Sequence, residues 1–123
     1  MLAVSGIVVK KGRVLLCRRR TGLGRGTWEF PTFEIEDGET AEDSLERNFF
    51  DSFSVRVSGM QGYGARTMDG PPFVRIFLYG AQISGKMDFD GAYDHCKWLS
   101  IKGLANFRQS PACVTAIKGL ESL

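Results

Sequence analysis

Apolar positions along the chain follow two periods, and the change between them marks out the elements. Ala3 to Val9 alternates loosely and ends in the β-branched run Ile7-Val8-Val9, which predicts a strand. Lys10-Lys11-Gly12-Arg13 predicts a turn, with Gly12 free to take positive φ, and Val14 to Cys17 returns as the second arm of a β-hairpin. Trp28-Glu29-Phe30 predicts a short strand stopped at Pro31, and Phe33 to Glu36 alternates apolar with acidic residues before the Asp37-Gly38 turn. The period then lengthens. Leu45, Phe49 and Phe53 recur at i, i+4, i+8, predicting a helix from Ala41 to about Phe53. Thr40 is its expected N-cap, Asp43 completes a capping box, and Glu42 and Asp43 sit where the helix dipole favours acids.

Beyond the helix, Val55 to Val57 and Gly59 to Arg66 read as extended, and Met68 to Pro72 as a turn. Phe73 to Ile83, aromatic and β-branched, is the strongest strand signal. Lys86 to Asp94 reads as a loop carrying Asp88, Asp90 and Asp94, and Lys97 to Ser100 as a last short strand. Ser110 and Pro111 open a terminal helix with a stripe of Val114, Ile117 and Leu120. The order β-β-loop-β-helix-β-β-β-helix predicts an α+β fold, a mixed sheet with one helix on each side. With no repeat, low-complexity tract or linker, residues 1–123 read as one domain.

Composition adds bounds. A chain of 123 residues, 43% hydrophobic, can build a genuine core. No apolar run reaches the roughly 18 residues of a membrane span. The basic residues of MLAVSGIVVKKGR follow its apolar run, so a first strand is expected there and not a signal peptide. Cys17, Cys96 and Cys113 are odd in number and far apart, and none forms a Cys-x-x-Cys pair. Neither a disulfide framework nor a zinc site is expected, and reduced thiols in a cytoplasm fit that usage. His95 is the single histidine, which excludes any scheme needing two.

Charge is unevenly spread. Residues 1–28 carry seven Lys and Arg and no acid, whereas residues 29–51 carry nine acids against Arg47 alone. The two blocks read either as solvated surfaces that pair across the fold or as a phosphate-holding wall facing a metal-holding wall. The loop RRRTGLGRGT at 18–27 is basic and glycine-rich, but its spacing matches neither a P-loop nor a dinucleotide fingerprint.

The stretch from Trp28 to Val55, WEFPTFEIEDGETAEDSLERNFFDSFSV, resembles the central motif of the Nudix hydrolases, and the chain as a whole is similar to small MutT-like nucleoside triphosphate pyrophosphohydrolases. The family's box is G-x5-E-x7-R-E-U-x-E-E-x-G-U, with U a bulky apolar residue. Placed to start at Phe33, it finds Glu39, Arg47, Phe49 and Val55 where Glu, Arg, U and U belong. Trp28 to Pro31, Asp37 to Thr40, the opening hairpin and Trp98-Leu99-Ser100 are also typical. The departures fall on the box glycines and on most of its acids. Phe33 and Ser54 replace glycines, Asn48 replaces the Glu after the arginine, and Asp51-Ser52 replaces the paired glutamates.

The resemblance implies a Nudix fold, a magnesium (or manganese) cofactor, and hydrolysis of a pyrophosphate bond in a nucleotide. It implies that the helix face holding Asp51, Asn48 and Ser52 is the metal position, with Asp51 its one remaining carboxylate. It implies that Glu39 and Arg47 pair to tie the loop to the helix, and that Arg18, Arg19 and Arg25 hold substrate phosphates. Magnesium wants hard oxygen ligands, commonly one or two carboxylates with water and phosphate. Asn and Ser supply oxygen but neither charge nor a general base. Asp94, Glu34 or Glu36 could reach in to compensate, since the late position where relatives often place another acid is Lys97. Two readings follow: a metal-dependent pyrophosphohydrolase, or an inactive Nudix-like module that binds a nucleotide, nucleic acid or protein. No residue identifies a dimer surface or the base.

Overall fold

The computed structural model describes residues 1–22, 25–68, 73–89, 91–100, 103 and 109–121. Among these residues, seven strands and two helices follow in the order β1 (Leu2–Lys10), β2 (Arg13–Arg19), β3 (Trp28–Glu29), β4 (Thr32–Glu34), α1 (Ala41–Phe53), β5 (Arg56–Thr67), β6 (Arg75–Ser84), β7 (Tyr93–Leu99) and α2 (Pro111–Glu121). The main path of the sheet is β3-β2-β1-β6-β5, with β4 also on β1 and β7 also on β2. The pairing of β1 with β6 is parallel and the others are antiparallel, so the sheet is mixed as expected.

Strand alternation gives the sheet two apolar faces. Ala3, Ile7, Val14, Leu16, Ile76 and Leu78 meet Cys113 and Ala116 of α2 on one face. Val4, Val8, Leu15, Cys17 and Ala81 meet Leu45, Phe49 and Phe53 of α1 on the other. A strand buried on both faces reads as a nearly continuous apolar run, which is the pattern of β1 and β2. Leu45, Phe49 and Phe53 are fully buried, each worth about 1.5–3 kcal/mol of apolar transfer. Thr40 and Asp43 form the expected capping box: Thr40 Oγ1 accepts from the Asp43 N–H at 3.0 Å, and the Thr40 N–H donates to the Asp43 carboxylate at 3.3 Å. Ser54, at a box glycine position, closes α1 in the left-handed conformation with φ 59°.

Three expectations change. Asp94 lies inside β7 and not in a loop, because β7 begins at Tyr93 and pairs with β2 through Arg18–His95 and Arg19–Tyr93. The buried face of α2 runs through Cys113 and Ala116, whereas Val114 is 40% exposed. Cys17 and Cys96, in place of the expected reduced thiols, are register partners on β2 and β7, their Cα atoms 4.1 Å apart, and form a disulfide. Antiparallel pairing brings together two cysteines separated by 79 positions. Cys113 stays a free thiol whose pKa burial pushes up to about 12. Gly24, Asp90, most of the 68–72 turn and the Leu120 side chain lie outside the described residues. No helix is long and apolar enough to cross a membrane among the described residues.

Candidate functional site

The polar face of α1 is organised by Arg47. Its Nε donates to Glu39 Oε2 at 2.7 Å and its Nη2 to Glu39 Oε1 at 3.0 Å, a bidentate pair that ties the loop before the helix to the helix itself. Glu36 lies 3.6 Å from Arg47 and Asp51 4.0 Å. The hydrogen bonds from Arg47 hold the Glu39 carboxyl below its ordinary pKa, and Glu39 raises that of Arg47. Asp51, the one acid left on the box face, is therefore drawn toward a guanidinium.

The other two box positions are turned inward. Asn48 donates its amide to the Ser44 carbonyl at 2.8 Å and to Ser44 Oγ at 3.1 Å, folding back along its own helix. Ser44 Oγ in turn donates to the Glu34 carbonyl at 3.1 Å, which fastens α1 to β4. Ser52 is buried. Among the described residues no three His, Cys, Asp or Glu side chains converge as metal ligands. This donor set does not fit a magnesium site built on carboxylates. Of the acids that could compensate, Asp94 is committed to Arg18 and Glu36 leans on Arg47. Glu34 remains exposed beside the cavity described next.

That cavity, about 330 Å³, lies between the sheet and the start of α2. Val74, Ile76 and Phe33 give it apolar walls, Pro111 and Ala112 bring the first turn of α2, and Arg19, Glu29 and Thr32 form a polar end. Volume and lining match a small-ligand site: mostly apolar, with a few placed polar groups. A larger hollow of about 430 Å³ lies on the outer face of α1, where Glu39, Asp43 and Glu46 line it beside Arg47 and Arg56.

The polar end is a buried network that the sequence did not announce. Glu29 is 2% exposed and Tyr93 fully buried. Arg19 Nη2 donates to Glu29 at 2.7 Å and to the Tyr93 hydroxyl at 3.0 Å, while that hydroxyl donates to Glu29 and accepts from the Thr32 N–H at 2.9 Å. Burial, reinforced by the Glu29 charge, raises the Tyr93 pKa well above the ordinary phenol value, so it stays a donor. The only advance signal was an acid in an apolar strand, Trp28-Glu29-Phe30.

The three arginines expected to hold phosphate do not converge. Arg19 lines the cavity but is engaged by Glu29 and Tyr93. Arg18 donates through Nε and Nη2 to Asp94 at 2.9 and 3.1 Å, which lowers the Asp94 pKa. Arg25 sits exposed in the turn after Gly22.

No family model matches the chain. A segment of 53 residues, 42% of the chain, is 34% identical to the RNA pyrophosphohydrolase of Shewanella baltica and spans 29% of that protein's length. The fold matches the MutT NUDIX hydrolase from Burkholderia pseudomallei at TM-score 0.80 and 16% identity, covering 99% of this chain and 96% of that one. It matches the NUDIX domain of Shewanella oneidensis NrtR, solved with ADP ribose, at TM-score 0.80 and 16% identity over 99% and 86%. Over nearly its whole length the chain thus has the Nudix fold of these solved structures.

Proposed function

We propose that this protein binds a nucleotide carrying a diphosphate or triphosphate in the cavity between the sheet and α2, and that it is not an efficient pyrophosphohydrolase. One observation carries the reading. On the box face of α1, Asn48 is hydrogen-bonded back to Ser44, and Asp51 is the one carboxylate left. Such a face offers a single negative charge for a metal that relies on carboxylates, and no second acid to activate water. The cavity, with its apolar walls and the first turn of α2, supports retained binding.

The test is thermal unfolding with ADP, ADP-ribose and ATP, beside phosphate and pyrophosphate release with magnesium or manganese. A nucleotide at about 100 times its Kd adds about 2.7 kcal/mol, a readable shift. Stabilisation without turnover is the expected result. A second reading, a working hydrolase, draws on the segment shared with the Shewanella baltica RNA pyrophosphohydrolase. Metal-dependent turnover that Asp51→Ala abolishes would establish it over the first. We further propose the cytoplasm as the compartment; fractionation of cells that make the protein, finding it in the cytosolic fraction, checks it.

A further inference from the structure

The β1–β2 hairpin points away from the cavity of the proposed function. From Ala3 to Lys10, β1 runs about 23 Å at the usual strand rise. At its far end Lys11 and Gly12 have φ of 52° and 74°, the positive values of a two-residue hairpin turn of type I′. This turn sets Lys10 and Arg13 opposite each other as register partners, with Lys11 at the tip. All three are exposed, and none has a side-chain hydrogen bond or ion pair among the described residues. Arg18, Arg19 and Arg47, in contrast, are each held by a carboxylate.

Beside the tip, two cavities meet at one aromatic ring. One, about 390 Å³, is lined by Lys10, Lys11, Arg13 and Trp98. The other, about 400 Å³, shares Lys10 and Trp98 and continues along Val9, Ile83 and Met87. No carboxylate lines either among the described residues. Three unpaired cations beside an indole, with an apolar recess behind it, form the combination that takes a phosphate chain and a stacked base.

We propose that this surface is a binding site for single-stranded nucleic acid, with phosphates on Lys10, Lys11 and Arg13 and a base on Trp98 against Ile83 and Met87. A flat anionic membrane fits less well, because Trp98, Ile83 and Met87 are half-buried and line a hollow. An acidic peptide would satisfy the cations but place nothing planar on the ring.

The experiment is fluorescence anisotropy of a labelled oligothymidylate of about 12 nucleotides, a site size within the range of one binding module. Binding weakens with salt, and neutralising three phosphates on a single strand contributes a log–log slope of about −2. The Lys10→Glu/Lys11→Glu/Arg13→Glu variant, changed at exposed positions only, loses at least tenfold in affinity and that part of the salt slope. It leaves the ADP-induced thermal shift unchanged, which separates this site from the nucleotide cavity. Trp98→Leu binds roughly 5- to 150-fold more weakly, the range of one lost base stack. Should Trp98→Leu unfold, quenching of tryptophan emission by the oligonucleotide in a Trp28→Phe background takes its place. Unchanged affinity in the triple variant overturns the proposal, and so does the absence of quenching. Equal binding to phosphatidylserine vesicles or polyglutamate, lost in the same variant, also overturns it, since that describes a general anion patch.

Discussion

Gly6, in the middle of β1, lies directly beneath α1. A Cβ there would come within 2.8 Å of Phe49 Cζ and 3.0 Å of Leu45 Cδ1. The helix sits this close to the sheet because position 6 has no side chain. Gly6→Ala is expected to cost about 1–3 kcal/mol by overpacking, read as a lower denaturant midpoint at unchanged slope. Ser54 carries a milder strain, since a residue with a Cβ holds a left-handed helix end. Ser54→Gly should relieve it and add about 0.5–1 kcal/mol, seen as a higher Tm, whereas an unchanged or lower Tm would contradict that account. At position 48 the question is chemical. Asn48→Glu would set a second carboxylate one turn from Asp51, and manganese should then stabilise the variant but not the parent. Equal stabilisation of both would locate any metal elsewhere.

Between elements, the Glu39–Arg47 pair joins the loop to α1 and brings a pH dependence. The folded pKa of Glu39 lies below its ordinary value, first through the hydrogen bonds from Arg47. The unfolded chain therefore binds the proton more readily, so this contribution is full above the ordinary carboxyl pKa and fades as pH falls through the depressed one. Glu39→Gln should flatten the acid limb of a stability profile taken from about pH 6 to about pH 3. If the limb is as steep as in the parent, other carboxylates govern it. This pair was implied by the family resemblance, whereas α1 and its cap were legible in the sequence because each depends on residues within about one or two helical turns. The Arg19–Glu29–Tyr93 network was not, since its members are separated by 10, 64 and 74 positions and meet only through strand register. Asp94 was placed in a loop because the segment before Lys97 lacks the apolar run that marked the other strands. Its place in β7 comes from pairing with β2. The metal position on α1 was an implication of the family resemblance alone, and the turning of Asn48 toward Ser44 is a rotamer choice that spacing does not encode.

At the scale of the whole molecule, the Cys17–Cys96 bond links positions 79 apart and fixes β7 onto β2. Chain-entropy reasoning gives a loop of that length about 4.5 kcal/mol, an upper figure for such a link. Cys96→Ser, or reduction, should lower Tm by roughly 10 °C. A change of a degree or less would mean that the strand pairing already supplies the constraint. Neither cysteine revealed its partner in the sequence, because the pairing exists only once the sheet order is known.

The parallel pairing of β1 with β6 also sets a timetable. Leu2 is opposite Arg75, so the central strand waits for a neighbour made 73 residues later. At typical synthesis rates that interval is roughly 4–15 s. During it, β1 and β2 exist as a hairpin, apolar on both faces and lacking the helices that will cover them. This hairpin is thus the part of the fold most in need of shielding, and its basic tip keeps like-charged copies apart while the rest arrives.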